Sequence, residues 1–224
     1  MAENFECKKC RELRDRVGNE QGTMYMEEVE KVDRFCYLGD TINSGGGCEI
    51  AVARRCRLGW IKFNELAPIL TGQRFTMKIK GRIYKACVRP AMVYGSETWN
   101  VKTVEEGILR RTERAMIRKM CGVKISDRKN TSELMERLDL EETVVEVVKR
   151  SSMRWMGHVL RREDDEPVKR AWNLHVDGTR SKGRPKVTWK DMVMKESSRV
   201  GLKEEDAQDR KKWGEGVSSW RKSQ

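Results

Sequence analysis

Between Lys78 and Trp99 the chain reads KIKGRIYKACVRPAMVYGSETW, and no other stretch limits the fold so tightly. Lys78, Arg82, Lys85 and Arg89 recur at three- and four-residue intervals. So do Ile79, Ile83 and Cys87, followed by Met92 and Val93. That period predicts an amphipathic helix with one basic and one apolar face. Pro90 has no backbone donor, and its ring collides with the carbonyl four residues back, so the helix should kink or restart there. Gly95 can end the second piece, and Trp99 is a large apolar anchor beyond it. A chain built on such a rod needs a core on one side and faces something negative on the other.

Charge says what that something can be. Of 224 residues, 37% are charged and only 38% are apolar, with a net charge of +12 and a pI of about 9.5. Such a surface fits nucleic acid, acidic proteins or anionic membranes. The excess is local. Residues 1–47 hold 7 basic and 10 acidic side chains, whereas residues 76–128 hold 13 basic and 5 acidic. A concentrated excess can neutralise consecutive phosphates and release their counterions, which favours nucleic acid. No apolar run is long enough to span a membrane, and the N-terminus lacks the apolar core of a signal peptide. Seven cysteines, an odd number, then read as reduced thiols in a cytoplasmic or nuclear protein. The Asn130-Thr131-Ser132 sequon is a chance match in that setting.

Residues 1–28 are polar and acidic and contain Cys7-Lys8-Lys9-Cys10. A CxxC is half of a tetrahedral zinc site. Cys36 and Cys48 follow in other patterns, so free thiols are the expectation and zinc is not. Residues 29–47 read as strand, turn and loop. VEKVDRFCYLGDTI carries Val32, Phe35, Tyr37 and Leu38 with a Gly39-Asp40 turn, and NSGGG cannot hold a regular element. This glycine loop lacks the GK[ST] ending of a nucleotide-binding loop.

Residues 48–128 read as a helical domain. A helix from Cys48 to Leu70, limited by Pro68, buries Ala51 or Val52, Cys56, Trp60, Phe63 and Leu66 or Ala67. Arg54, Arg55, Arg57 and Lys62 decorate it. After the central helix, Thr103 caps another that runs to Cys121. Val104, Ile108, Ala115 and Met116 face inward there, Arg110, Arg111, Arg114, Arg118 and Lys119 face outward, and Gly122 ends it. Residues 129–224 form a second, smaller helical region. Asn130 with Glu133, and Asp139 with Glu142, have capping-pair spacing. A helix over 140–161 places Val144, Val148, Trp155 and Val159 on one stripe, and a short helix spans Val168–Leu174. Residues 177–186 form a basic loop, Thr188 with Asp191 caps the next helix with Val187 stapled to Met192, and a last helix (204–220) buries Ala207, Trp213 and Val217. The fold class is mainly α, with a short β-hairpin before the helices.

Little here can carry chemistry unaided. Asp164-Asp165 could pair metal ions for nucleotidyl transfer, but in RREDDEP it reads as a solvated turn. His158 and His175 have no ligand-spaced companions, and no GxSxG, HExxH or Walker motif occurs. Arg154, Trp155, His158, Arg161 and Arg162 interleave cations with an aromatic, which suits phosphate contact and base stacking. Trp155 could equally sit in the core with arginines solvated around it. Lys182-Gly183-Arg184-Pro185 resembles the core of an AT-hook, although a basic loop without specificity reads the same way.

FCYLGDTI, the glycine loop, RIYKACVRPAMVYGSETW, LRRTERAMIRKMCG, RWMGHVLRR, GRPKVTW and DRKKW occur in this order over residues 29–221. In that order they resemble the C-terminal part of reverse transcriptases from non-LTR (LINE-type) retrotransposons. The resemblance implies that Phe35–Asp40 is the hairpin at the palm–thumb boundary, with Tyr37, Leu38 and Gly39 gripping the primer end. It implies a thumb over Cys48–Gly122 that holds a template–primer duplex of RNA or DNA, and a post-thumb region after it. Lys78, Arg82, Lys85, Arg89, Arg110, Arg114, Arg118, Arg154, His158, Arg161 and Arg184 are then the expected nucleic-acid contacts. FECKKC, with Cys7 and Cys10, would be the last pair of a truncated zinc module. The Tyr-x-Asp-Asp carboxylates that hold Mg²⁺ in the full-length family are absent. This chain alone is therefore expected to bind rather than polymerise, with the missing palm and fingers as partners. The other expectation is a non-catalytic helical interaction module whose apolar faces once packed on that palm.

Overall fold

A computed structural model describes residues 32–37, 40–43, 47–174 and 187–220. The chain divides after Ala51 into two compact units. In the first, β1 (Arg34–Tyr37) and β2 (Asp40–Asn43) form an antiparallel hairpin. Phe35 pairs with Ile42, and Cys36 with Thr41. Side chains two residues apart share a face of a strand, and the rings of Phe35 and Tyr37 accordingly stack at 6.2 Å. Cys7, Cys10, Leu38, Gly39, His175, Arg184 and the 177–186 loop lie outside the described residues.

Helix α1 (Glu49–Glu65) buries Val52, Cys56, Gly59 and Phe63 at helical spacing. It does not continue unbroken to Leu70 as expected. A break at Leu66 precedes α2 (Ala67–Leu70), whose first turn holds Pro68, where a missing N–H costs least. The central rod follows as α3 (Met77–Ile83), a π-helical turn (Tyr84–Val88) and α4 (Arg89–Val93). Thr76 caps its start by accepting from the Ile79 N–H. An α-helical segment restarts at Arg89 with Pro90 in its first turn, as expected. The preceding turn widens, so that the Arg89 N–H reaches back five residues to the Tyr84 carbonyl. Such a bulge re-registers the ladder just ahead of the residue that cannot join it.

The rod's buried face corrects the sequence expectation. Lys80, Tyr84, Val88 and Met92, at strict four-residue steps, are buried together with Gly81 and Arg89. Ile79 is 41% exposed, Cys87 is exposed and Ile83 is half-buried. The rod is turned by about one residue, or roughly 100°, from the face that aliphatic spacing alone selects. Gly81 explains the turn: a Cβ there would stand 1.8 Å from the Leu138 carbonyl oxygen, so backbone packs on backbone.

Gly95 takes a left-handed conformation (φ 75°) after α4, and Trp99 is buried beyond the 3₁₀ turn Ser96–Thr98. Helix α5 (Thr103–Cys121) ends at Gly122 (φ 65°), as expected. Its cap position is Lys102 rather than Thr103, with the Lys102 N–H held by Glu105 at 2.8 Å. Its buried stripe is Glu105, Leu109, Glu113, Met116, Ile117 and Met120, while Val104 is 65% exposed and Ile108 and Ala115 are half-buried.

Helix α6 (Thr131–Arg137) is capped by Asn130. Asp139 does not cap the next helix, having a left-handed φ of 57°. A reciprocal Thr143–Glu146 box starts α7 (Val144–Leu160) instead. Helices α8 (Pro167–Asn173), α9 (Trp189–Ser198) and α10 (Arg210–Ser219) complete the chain, with a 3₁₀ turn at Glu204–Gln208. Thr188 and Asp191 form the expected box, though Val187 is 55% exposed. Met153, Met156, Leu160, Val193, Leu202, Ala207, Trp213, Val217 and Trp220 make one core cluster. Gly157 lets Trp213 lie against α7, where its indole N–H donates to the Met153 carbonyl at 3.1 Å. The molecule is thus mainly helical, with one short antiparallel hairpin ahead of packed helices.

Candidate nucleic-acid interface

Not every cation of the rod faces outward. Arg89 is buried, and its guanidinium donates to Glu113 at 3.0 Å and to the Glu142 carbonyl at 2.8 Å. The same Glu113 carboxylate accepts from the Tyr84 hydroxyl at 3.1 Å and from the Val144 N–H at 2.7 Å. One acid therefore ties the rod, α5 and the first turn of α7, where negative charge suits the helix N-terminus. Burial, then the Glu113 charge, pushes the Tyr84 phenol well above its ordinary value. Burial works against the Arg89 cation, but Glu113 outweighs it and the guanidinium is held more firmly protonated. Arg89 is consequently structural and cannot meet a phosphate, which corrects its place on the basic face.

Lys80 is buried too, and donates to the Met120 carbonyl at 3.1 Å, capping the C-terminal end of α5. Lys85 donates to the Asp139 carbonyl at 3.0 Å. Lys78 and Arg82 remain exposed.

Helix α5 presents a dense cationic surface. Between Glu106 and Asp127 the only acid is Glu113, and it is turned inward. Arg110, Arg111, Arg114 and Lys119 are exposed and Arg118 is half-buried. Arg110 leans on Glu106 at 3.5 Å, Arg114 donates to the Thr131 hydroxyl at 3.2 Å, and Lys119 lies 5.2 Å over the Trp60 ring. None of these contacts desolvates the cation, so the helix face stays available to an anion.

A second cationic surface lies on α7. Arg154 is exposed, and Trp155 and His158 are half-buried with rings stacked at 5.1 Å. Arg162 donates from Nε to His158 Nε2 at 3.1 Å and also pairs with Glu166 at 3.3 Å. Arg161 is diverted: it donates to the Ala207 carbonyl at 2.8 Å, and burial, with Arg210 nearby, lowers its pKa. Lys149 bridges Glu106 of α5 at 2.9 Å and Glu196 of α9 at 3.2 Å, while Glu196 also takes Arg199 and the Trp220 indole.

The remaining candidates are scattered. Tyr37 is largely exposed on the hairpin. Asp164 and Asp165 are exposed in the turn after α7. Among the described residues no three metal-ligating groups converge, the five cysteines are free thiols, and no helix is long and apolar enough to cross a membrane. Sequence reasoning missed the Glu113 hub. The available signal was an acid spaced four from both Leu109 and Ile117, both on the inward stripe.

A Caenorhabditis elegans protein described as an uncharacterized transposon-derived protein is similar to this chain. The two are 27% identical over a 204-residue alignment that covers 83% of this chain and 70% of that protein. No family model matches the chain. No solved structure matches it either.

Proposed function

We propose that this chain is the thumb and post-thumb part of a non-LTR retrotransposon reverse transcriptase and holds template–primer nucleic acid through its basic helices. The observation that carries this reading is the outward face of α5, where every charged side chain between Glu106 and Asp127 is a cation and the one acid is spent inside. The element order agrees with it, a hairpin preceding helices, and so does the likeness to a transposon-derived protein. Lys78, Arg82, Arg110, Arg114 and Arg118 are its phosphate contacts, and Tyr37 its primer-end contact. Arg89 plays no part.

Binding of an RNA–DNA hybrid under a salt titration tests this. Log affinity should fall linearly with log salt, with a slope of about −0.9 per neutralised phosphate. Reversing Arg110, Arg114 and Arg118 to Glu should flatten that slope by about three such increments. Absence of hybrid binding at low salt would end the proposal. A second reading, docking of the hairpin on a protein partner, is favoured by Tyr37 and Ile42, which are 56% and 46% exposed on a two-stranded sheet. An isolated hairpin is marginal in water, so that reading expects the hairpin strands to exchange amide protons at near-unfolded rates in the free chain.

A further inference from the structure

Helix α7 has an outer stripe that the core does not use. Ser151, Trp155, His158 and Arg162 follow at four-, three- and four-residue steps, which places them on one face. The opposite face sends Met153, Met156 and Leu160 into the cluster with Trp213, and Trp155 is not part of that cluster. A half-exposed tryptophan is a poor choice for a solvated helix position, because its large apolar ring stays wet. Here the indole and the His158 ring lie only 25° from parallel at 5.1 Å, and the Arg162 guanidinium closes the polar edge of the imidazole. Arg154 stands exposed beside them.

We infer that this stripe is a platform for single-stranded nucleic acid, with Trp155 as the stacking surface and Arg154 and Arg162 as phosphate contacts. The inference rests on the retroelement reading and narrows its partner at this helix. Bases inside a duplex already stack on one another, whereas an unpaired strand offers free π-faces to an indole. Flanking cations then track its backbone and release counterions. The Arg162–Glu166 pair is partly exposed and four residues apart, so it is weak and a phosphate can displace it. The acidic turn Glu163–Glu166 limits the footprint at that end, so the strand runs from Arg162 toward Ser151.

The test uses the full chain, a short fluorescent oligothymidylate and an RNA–DNA hybrid of equal length, read by anisotropy at low salt. Trp155→Ala should weaken single-strand binding about tenfold or more, Trp155→Phe by no more than about threefold, and hybrid binding should change less than about twofold in either. Arg154→Glu, at an exposed position that leaves the fold intact, should weaken single-strand binding about tenfold. If Trp155→Ala and Arg154→Glu leave single-strand affinity unchanged, or lower both ligands equally, the inference is overturned while the duplex reading stands. Loss confined to the single strand, in a chain that never binds hybrid, upholds the inference and removes the duplex reading. A wild-type chain that binds neither ligand removes both.

Discussion

The Arg89 guanidinium meets the Glu113 carboxylate at 3.0 Å inside the helical bundle, with only 6% and 3% of the two side chains exposed. A buried pair of this kind is weak evidence of net stability, because desolvation consumes most of the attraction. Its location still fixes which side of the rod faces in. Removing one partner is a different matter, since it strands the other charge. Arg89→Met should therefore cost about 3–5 kcal/mol, and Glu113→Gln somewhat less, because its one amide oxygen can still accept from Tyr84 although its NH2 group then faces the Val144 N–H. The Arg89→Met/Glu113→Leu double variant should recover part of the loss. Urea unfolding monitored by circular dichroism checks all three, and an Arg89→Met chain with wild-type stability would contradict the hub.

The Tyr84 phenol gives the same hub a pH signature. Its folded pKa is raised well above the ordinary value, first by burial and then by Glu113. In the unfolded chain it ionises near pH 10. Above that pH the unfolded state binds fewer protons than the folded one, so unfolding becomes easier as pH rises. The stability this group contributes is complete below about pH 10 and erodes above it. Cys56 and Cys121, whose thiols burial also raises, add to the slope from a lower pH. Tyr84→Phe should flatten the high-pH limb while losing one hydrogen bond, about 1 kcal/mol, at neutral pH. A melting-temperature profile between pH 8 and 11 that is the same in both proteins would refute the assignment.

These two residues also show why part of the fold was legible in the sequence and part was not. Gly122, Gly95, the Thr188–Asp191 box and the Ala207–Trp213–Val217 stripe depend on local chemistry, and each stands where the sequence places it. The inward faces of the rod and of α5 depend on Lys80, Arg89, Glu105 and Glu113, charged residues that pattern-reading assigns to solvent. For Lys80, Arg89 and Glu113 the partners lie 24 or more positions away, as for Arg89–Glu113 and Lys80–Met120. No local spacing contains that information. The candidate interface divides the same way. The outward cations of α5 follow from its helical period, whereas the diversion of Arg161 to Ala207 needed the fold.

Caps offer a cleaner comparison. Thr188 accepts from the Asp191 N–H at 3.2 Å, and Asp191 answers by accepting from the Thr188 N–H at 2.9 Å and its hydroxyl at 2.7 Å. Those bonds hold the Asp191 carboxyl below its ordinary range. A depressed carboxyl contributes stability above the unfolded pKa, near 4, and loses it as pH falls through the folded value. Thr188→Ala should cost about 1 kcal/mol at neutral pH, and the difference from wild type should shrink in acid. Denaturant midpoints at pH 7 and pH 3 measure it, and an equal gap at both would show that the box is not the cause.

Three glycines separate close packing from helix propensity. Alanine is worth about 1 kcal/mol more than glycine in a helix interior when nothing intervenes. At Gly107 a Cβ would meet only the tip of the flexible Arg111 side chain, at 3.2 Å, so Gly107→Ala should stabilise by up to about 1 kcal/mol. At Gly81 the Cβ would lie 1.8 Å from the Leu138 carbonyl oxygen, which is backbone and cannot swing aside. At Gly157 it would lie 2.2 Å from the Trp213 indole nitrogen, displacing the ring from the Met153 carbonyl. Overpacking of this kind costs about 1–3 kcal/mol or more, enough to reverse the propensity gain at both sites. Thermal melts of the three alanine variants should therefore rise for Gly107 and fall for Gly81 and Gly157. A Gly81→Ala chain as stable as wild type would mean that the rod does not seat its backbone on Leu138, and that the face assigned to it is wrong.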